Sequence, residues 1–160
     1  MTNLNLSQAQ KTGLVLLRLL IGWHFLYEGV IKLYNPSWTA KGYLLSAEFL
    51  KPVFVSLAGD GLIDIVDALN IGLLIFVGVM LMAGLKTGWA AIGGMLLLAL
   101  YYLAHPPFTG ITQGPAEGSY WIVNKNLIEL VALYVLYQFP TATTFGLEAL
   151  FRKSKIETAH

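Results

Sequence analysis

Apolar residues gather into four long runs along this chain, residues 13–34, 62–85, 87–104 and about 120–139. A hydrocarbon core of about 30 Å takes roughly 20 helical residues at a rise of about 1.5 Å each, so every run has transmembrane length. Little more than Lys86, Thr87 and Gly88 parts the second run from the third, which forces an antiparallel hairpin. The connection at 35–61 carries Trp38, Tyr43, Leu44, Leu45, Phe49, Leu50 and Phe54. It is too apolar for a solvated linker, so it lies in the membrane interface or folds back over the mouth of the bundle. Pro36 and Pro52 limit any helix within it. The connection at 105–119 contains His-Pro-Pro-Phe-Thr-Gly and Gly-Pro-Ala-Glu-Gly, which predict a turn-rich cap or lid. After the last run, Phe145, Leu147, Leu150 and Phe151 precede a basic cluster as in an interfacial helix. The pattern predicts an all-α fold, an integral membrane four-helix bundle with antiparallel transmembrane helices and an interfacial loop between helices 1 and 2. It forms one domain over residues 1–160 without internal repeats.

The first run breaks its own pattern with Arg18, His24, Glu28 and Lys32. An ionisable side chain deep in hydrocarbon costs about 3 kcal/mol even on lenient scales, so such groups usually face a partner, a cavity or a substrate. His24, Glu28 and Lys32 recur at i, i+4 and i+8 and share one helical face, with Arg18 within about 120° of it. Threading the runs alternately puts polar groups of all of them on one, outward side. Glu28 and Lys32 end the first; Asp60, Asp64 and Asp67 begin the second; His105 ends the third; Asn124, Lys125, Asn126 and Glu129 begin the fourth. Glu28 and Asp67 lie roughly 9 Å inside their span ends and Lys125 about 7 Å, so they form a layer. Turned inward, these faces build a pocket beneath an aromatic loop. Lys32 and Lys125 suit a small anion, while Glu28, Asp67 or a histidine handles protons. His105 stands one turn from Tyr101 and Tyr102, which by default are interface anchors and alternatively flank a quinone ring.

Composition agrees with a membrane setting: 56% of residues are hydrophobic and 12% charged, against about a quarter charged in soluble domains. The net charge of +1, without a basic block interleaved with aromatics, gives no support to a nucleic-acid partner. The absence of cysteine removes disulfides, thiolate chemistry, Cys-ligated clusters and c-type haem attachment. Lys11, Lys86, Arg152, Lys153 and Lys155 fall on one side, which puts both termini in the cytoplasm by the positive-inside tendency; the membrane expected is a bacterial inner membrane. The first run is too long for a signal-peptide core, contains Arg18 and Glu28 and ends in Tyr-Asn-Pro, so it is expected to be retained.

Each polar residue also has a purely structural reading. Lys32, Asp60 and Asp64 stand near span boundaries and can snorkel to water; Arg18 either does the same inward or reaches up beneath the pocket. Depth and mutual placement favour function for Glu28, Asp67 and Lys125. Bis-histidine haem is disfavoured because His24 lies about 15 Å inside its span and His105 at the end of its own. No metal-ligand spacing is convincing. Gly78, Gly84, Gly88, Gly93 and Gly94 permit close helix approach, within one chain or in a homo-oligomer.

The stretch Leu-Arg-Leu-Leu-Ile-Gly-Trp-His-Phe-Leu-Tyr-Glu-Gly-Val-Ile-Lys-Leu at 17–33 resembles the first helix of the DoxX family of small four-helix membrane proteins. Val-Asn-Lys-Asn-Leu-Ile-Glu-Leu at 123–130 resembles the start of its last helix, and Asn-Pro-Ser-Trp-Thr at 35–39 its loop. The resemblance implies a relation to the membrane subunits of thiosulfate:quinone oxidoreductase, which couple thiosulfate to tetrathionate and pass electrons to quinone. Other members are associated with redox-stress complexes. The family's polar signature falls on Arg18, Glu28 and Lys32, and on Asn124, Lys125 and Glu129. The expected roles are catalytic for Glu28, Asp67 and His105, quinone contact for Tyr101, Tyr102 and His24, and substrate contact for the signature residues with Trp38. Partners then include lipid, a small sulfur oxyanion, quinone and a redox protein. The runner-up is a nonenzymatic anchor or small-molecule binding subunit. An ion or proton transporter is a third reading, but the inner half lacks a polar path apart from Arg18.

Overall fold

A computed structural model describes residues 6–108, 121–143 and 145–151. It is helical, with no strand among the described residues. Helix α1 spans Gln8–Leu33, α2 Lys41–Leu45, α3 Lys51–Leu57, α4 Ile63–Ala83, α5 Thr87–Ala104 and α6 Lys125–Gln138. Three of these, α1, α4 and α5, are long and apolar enough to cross a membrane.

The boundaries follow from local chemistry. Ser7 and Gln10 form a reciprocal capping box, the Ser7 hydroxyl accepting from the Gln10 N–H and the Gln10 side chain from the Ser7 N–H. This cap starts α1 ahead of the apolar run, at Gln8 instead of residue 13. Gly84, at φ 64°, ends α4 while the Leu85 N–H donates to the Met80 carbonyl at 3.0 Å, the Schellman arrangement that a residue without Cβ enters freely. The fourth run departs most from expectation. Asn124 caps α6 by accepting from the Leu127 N–H at 3.0 Å, so the helix begins at Lys125 and has 14 residues, about 21 Å.

Helix α1 packs on α4, α4 on α5, α5 on α6, and α6 returns to α1. Between them Phe25, Leu74, Val77, Leu81, Leu97, Leu98 and Leu133 form the main core. Gly94 lets Leu133 approach, and Gly78 lets α1 approach, so both glycines serve contacts inside the chain. The outer faces are apolar: Leu16, Leu20, Trp23, Tyr27 and Ile31 make an exposed stripe on α1, and Ile65, Leu69, Phe76 and Val79 are exposed on α4.

The connection at 35–61 folds back over one end of these helices. Leu44, Ala47, Phe54 and Ala58 pack with Ile63 and Ala104 in a second core. Pro52 stands in the first turn of α3, where its missing N–H is not needed. The Glu48 N–H donates to the Ala104 carbonyl at 3.0 Å, the Tyr43 hydroxyl to the Tyr101 carbonyl at 3.0 Å, and the Ala40 N–H to Asp67 Oδ1 at 2.8 Å. The cap is therefore tied to both α4 and α5. The connection at 105–119, expected to form a second lid, lies largely outside the described residues.

Arg18 organises the opposite end. It is 4% exposed, donating to the Thr141 hydroxyl at 3.1 Å and to the Phe145 carbonyl at 2.6 Å, beside Gly84. The Glu148 N–H donates to the Gly84 carbonyl at 3.2 Å, so residues after α6 dock on the α4–α5 turn. Hydrogen bonds from a charged donor contribute about 2 kcal/mol, so Arg18→Met, which keeps the apolar stem, lowers unfolding stability by about that much. Limited proteolysis should then cut between residues 141 and 151 faster, with ligand binding unchanged. A tail that stays protected while binding is lost would instead assign Arg18 to the site.

Candidate functional site

The cap and the helix ends enclose a cavity of about 370 Å³, at the small end of the range for ligand pockets. Its walls are mostly apolar, from Phe25, Leu74, Leu97 and Leu98 below to Leu44, Phe54 and Leu57 of the cap above. Helix α1 contributes His24, Glu28 and Lys32 through its four-residue spacing, which keeps all three on one face. Trp38 and Tyr43 enter from the cap, Asn70 from α4, Tyr101 from α5, and Lys125 and Asn126 from the start of α6.

Several of these polar groups pair with one another. His24 Nδ1 lies 2.7 and 3.0 Å from the two carboxylate oxygens of Glu129, which joins α1 to α6. The Glu129 side chain is 13% exposed and that of His24 38%, so the carboxylate is the enclosed member and the imidazole reaches open space. Lys32 pairs with Glu28 one turn earlier, donates to the Glu28 carbonyl at 3.3 Å, and stands 5.5 Å from the centre of the Trp38 ring. A Glu preceding Lys by four residues is the favourable order on a helix, and the indole face adds a cation–π attraction. Lys125 is exposed and makes no ion pair among the described residues. Asn70 Nδ2 donates to the Tyr101 hydroxyl at 2.7 Å. The Tyr43 ring stands 5.9 Å from Tyr101, edge to face. Although 40% of Tyr43 remains exposed, burial pushes its phenol up, with Tyr101 adding to the shift, so Tyr43 stays a protonated donor.

Of the residues singled out in the sequence, His24, Glu28, Lys32, Trp38, Tyr101, Lys125 and Asn126 line the cavity, and Glu129 touches it through His24. The others lie elsewhere. Asp67 caps the Ala40 N–H, Asn124 caps α6, and Tyr102 donates to the Ile122 carbonyl at 2.8 Å. His105 meets the Ser46 hydroxyl through Nε2 at 3.1 Å and lies 4.3 Å from the Tyr43 ring. Arg18 is at the far end. His105 is not among the residues that line the cavity bordered by His24, so a haem held by both does not fit there. No family model matches the chain, and no curated protein or solved structure matches it either.

Asn70 and Tyr43 also line the cavity, and neither is among the site residues expected from sequence. Asn70 stood out only as an uncharged polar residue within the apolar run of α4, three positions after Asp67. Tyr43 stood among loop aromatics whose fold no spacing specifies.

Proposed function

We propose that the chain is an antiparallel four-helix protein of the bacterial inner membrane, with cytoplasmic termini, acting as a membrane oxidoreductase of the thiosulfate:quinone type. The observation that carries this reading is the cavity, an apolar recess of ring-ligand size bordered by a His–Glu pair, a Glu–Lys pair and a Tyr–Asn pair. Such a lining suits a flat apolar ring with polar oxygens that exchange protons. The resemblance of residues 17–33 and 123–130 to the DoxX family supports the same chemistry. In that reaction two thiosulfate dianions each lose one electron and join through a new S–S bond. Quinone takes both electrons and two protons to become hydroquinone.

Lys125, unpaired among the described residues and beside Asn126, is the better anion contact at the rim; the charge of Lys32 is already engaged by Glu28. His24 and Glu28 line the same cavity and are the groups that would exchange protons with a bound ring. The purified protein in lipid, given thiosulfate and a short-chain benzoquinone, is expected to consume one quinone per two thiosulfates. Lys125→Gln raises the KM for thiosulfate about tenfold with kcat little changed, the mark of lost ground-state binding. A folded protein with no thiosulfate-dependent quinone loss would end the enzyme reading.

One observation favours a second reading, a nonenzymatic subunit presenting quinone to a redox partner. The sequence has no thiolate, and the histidine at the cavity is engaged by Glu129, so electrons pass directly between substrates or through another protein. Quinone binding without turnover, with turnover appearing when a stoichiometric partner is added, would favour this reading.

A further inference from the structure

The Asn70–Tyr101 pair is incompletely satisfied. With Asn70 Nδ2 donating to the Tyr101 oxygen, Asn70 Oδ1 is buried without a partner, and the Tyr101 hydroxyl proton has no acceptor among the described residues. The pair therefore retains both a donor, the Tyr101 hydroxyl, and an acceptor, Asn70 Oδ1, to offer. Both residues line the cavity, and the neighbouring Leu74, Leu97 and Leu98 side chains can satisfy neither. Polar groups left open in an apolar enclosure cost free energy until something completes them.

We infer that Tyr101 holds a ring oxygen of quinone in both redox states and that Asn70 adds a second hydrogen bond to the reduced form alone, an inference that rests on the quinone reading above. A quinone carbonyl oxygen only accepts, and receives a hydrogen bond from the Tyr101 hydroxyl. A hydroquinone hydroxyl both donates and accepts, and engages Asn70 Oδ1 as well as Tyr101. The pair thus makes one bond to the oxidised ring and two to the reduced ring. Asn70 is the group that distinguishes them, and it biases the bound quinone toward its reduced form.

The test is equilibrium binding of a short-chain benzoquinone and, under anaerobic conditions, its hydroquinone to the full chain in detergent micelles. Asn70→Leu, a substitution suited to an apolar helix, is expected to weaken hydroquinone binding about tenfold, the size of one neutral hydrogen bond, and to leave quinone binding nearly unchanged. Tyr101→Phe weakens both forms, since its hydroxyl serves each. If the native chain binds both forms but Asn70→Leu weakens them equally or not at all, the Asn70 assignment is overturned and the quinone cavity stands. If the native chain binds neither form, the quinone reading falls, and this assignment falls with it. Helicity by circular dichroism verifies that each variant is folded when measured.

Discussion

Replacing Glu129 by Gln is expected to lower thiosulfate-dependent quinone reduction by about 100-fold without disturbing the helix packing. Both Glu129 oxygens lie within 3.0 Å of His24 Nδ1, an arrangement that holds the proton on Nδ1 and leaves the Nε2 lone pair free. The imidazole is then oriented to pass a proton at Nε2, and the carboxylate stabilises the imidazolium formed on the way. A glutamine oxygen still accepts from Nδ1–H, so the α1–α6 contact survives. Its neutral amide does not stabilise the cation, and the proton transfer slows. His24→Gln produces a comparable loss, and combining the two adds little, because the pair works as one unit. Should Glu129→Gln retain more than half the native rate in a protein that binds quinone normally, proton transfer through this pair is not part of turnover.

Most of what the sequence allowed concerned depth along the helices. The four-residue spacing of His24, Glu28 and Lys32 requires a shared face, and alternating the runs brings Lys125 to the same end. All four line the cavity. Rotation about the helix axis is not set by depth. Asp67 and Asn70 are separated by three residues, about 60° of rotation, enough to turn the acid to the Ala40 N–H and the amide into the cavity. Long-range contacts were equally hidden. Arg18 reaches partners 123 and 127 positions away, and His105 is held by Ser46 of the cap, 59 positions earlier. The start of α6 was legible by a different signal. Hydropathy counts Trp121, Ile122 and Val123 as part of an apolar run, whereas the preference of Asn for the N-cap places the boundary at Asn124.

Substituting Gly78 by Ala is expected to destabilise the protein by about 3 kcal/mol, the upper range for an overpacked core. A Cβ at this position would stand 2.4 Å from Leu26 N and 2.6 Å from Leu26 Cα, which are backbone atoms that no rotamer change can move aside. On the facing helix, a Cβ on Gly22 would stand 3.1 Å from Met82 N, and one on Gly29 3.0 Å from Ile75 N. The α1–α4 contact therefore depends on missing side chains along its length, a packing mode suited to lipid, where apolar burial alone does not drive helices together. Gly72 supplies the control within the same helix, since a Cβ there meets nothing within 4 Å. Helix propensity alone predicts a gain of about 0.5–1 kcal/mol for Ala at either site, so opposite signs isolate the contact. Unfolding midpoints in mixed micelles measure both variants. Because α1 also carries His24 and Glu28 while α4 carries Asn70, pushing the helices apart at Gly78 widens the cavity and weakens quinone binding in the population that still folds. Equal midpoints for the Gly72 and Gly78 variants would mean that α1 and α4 do not pack this closely.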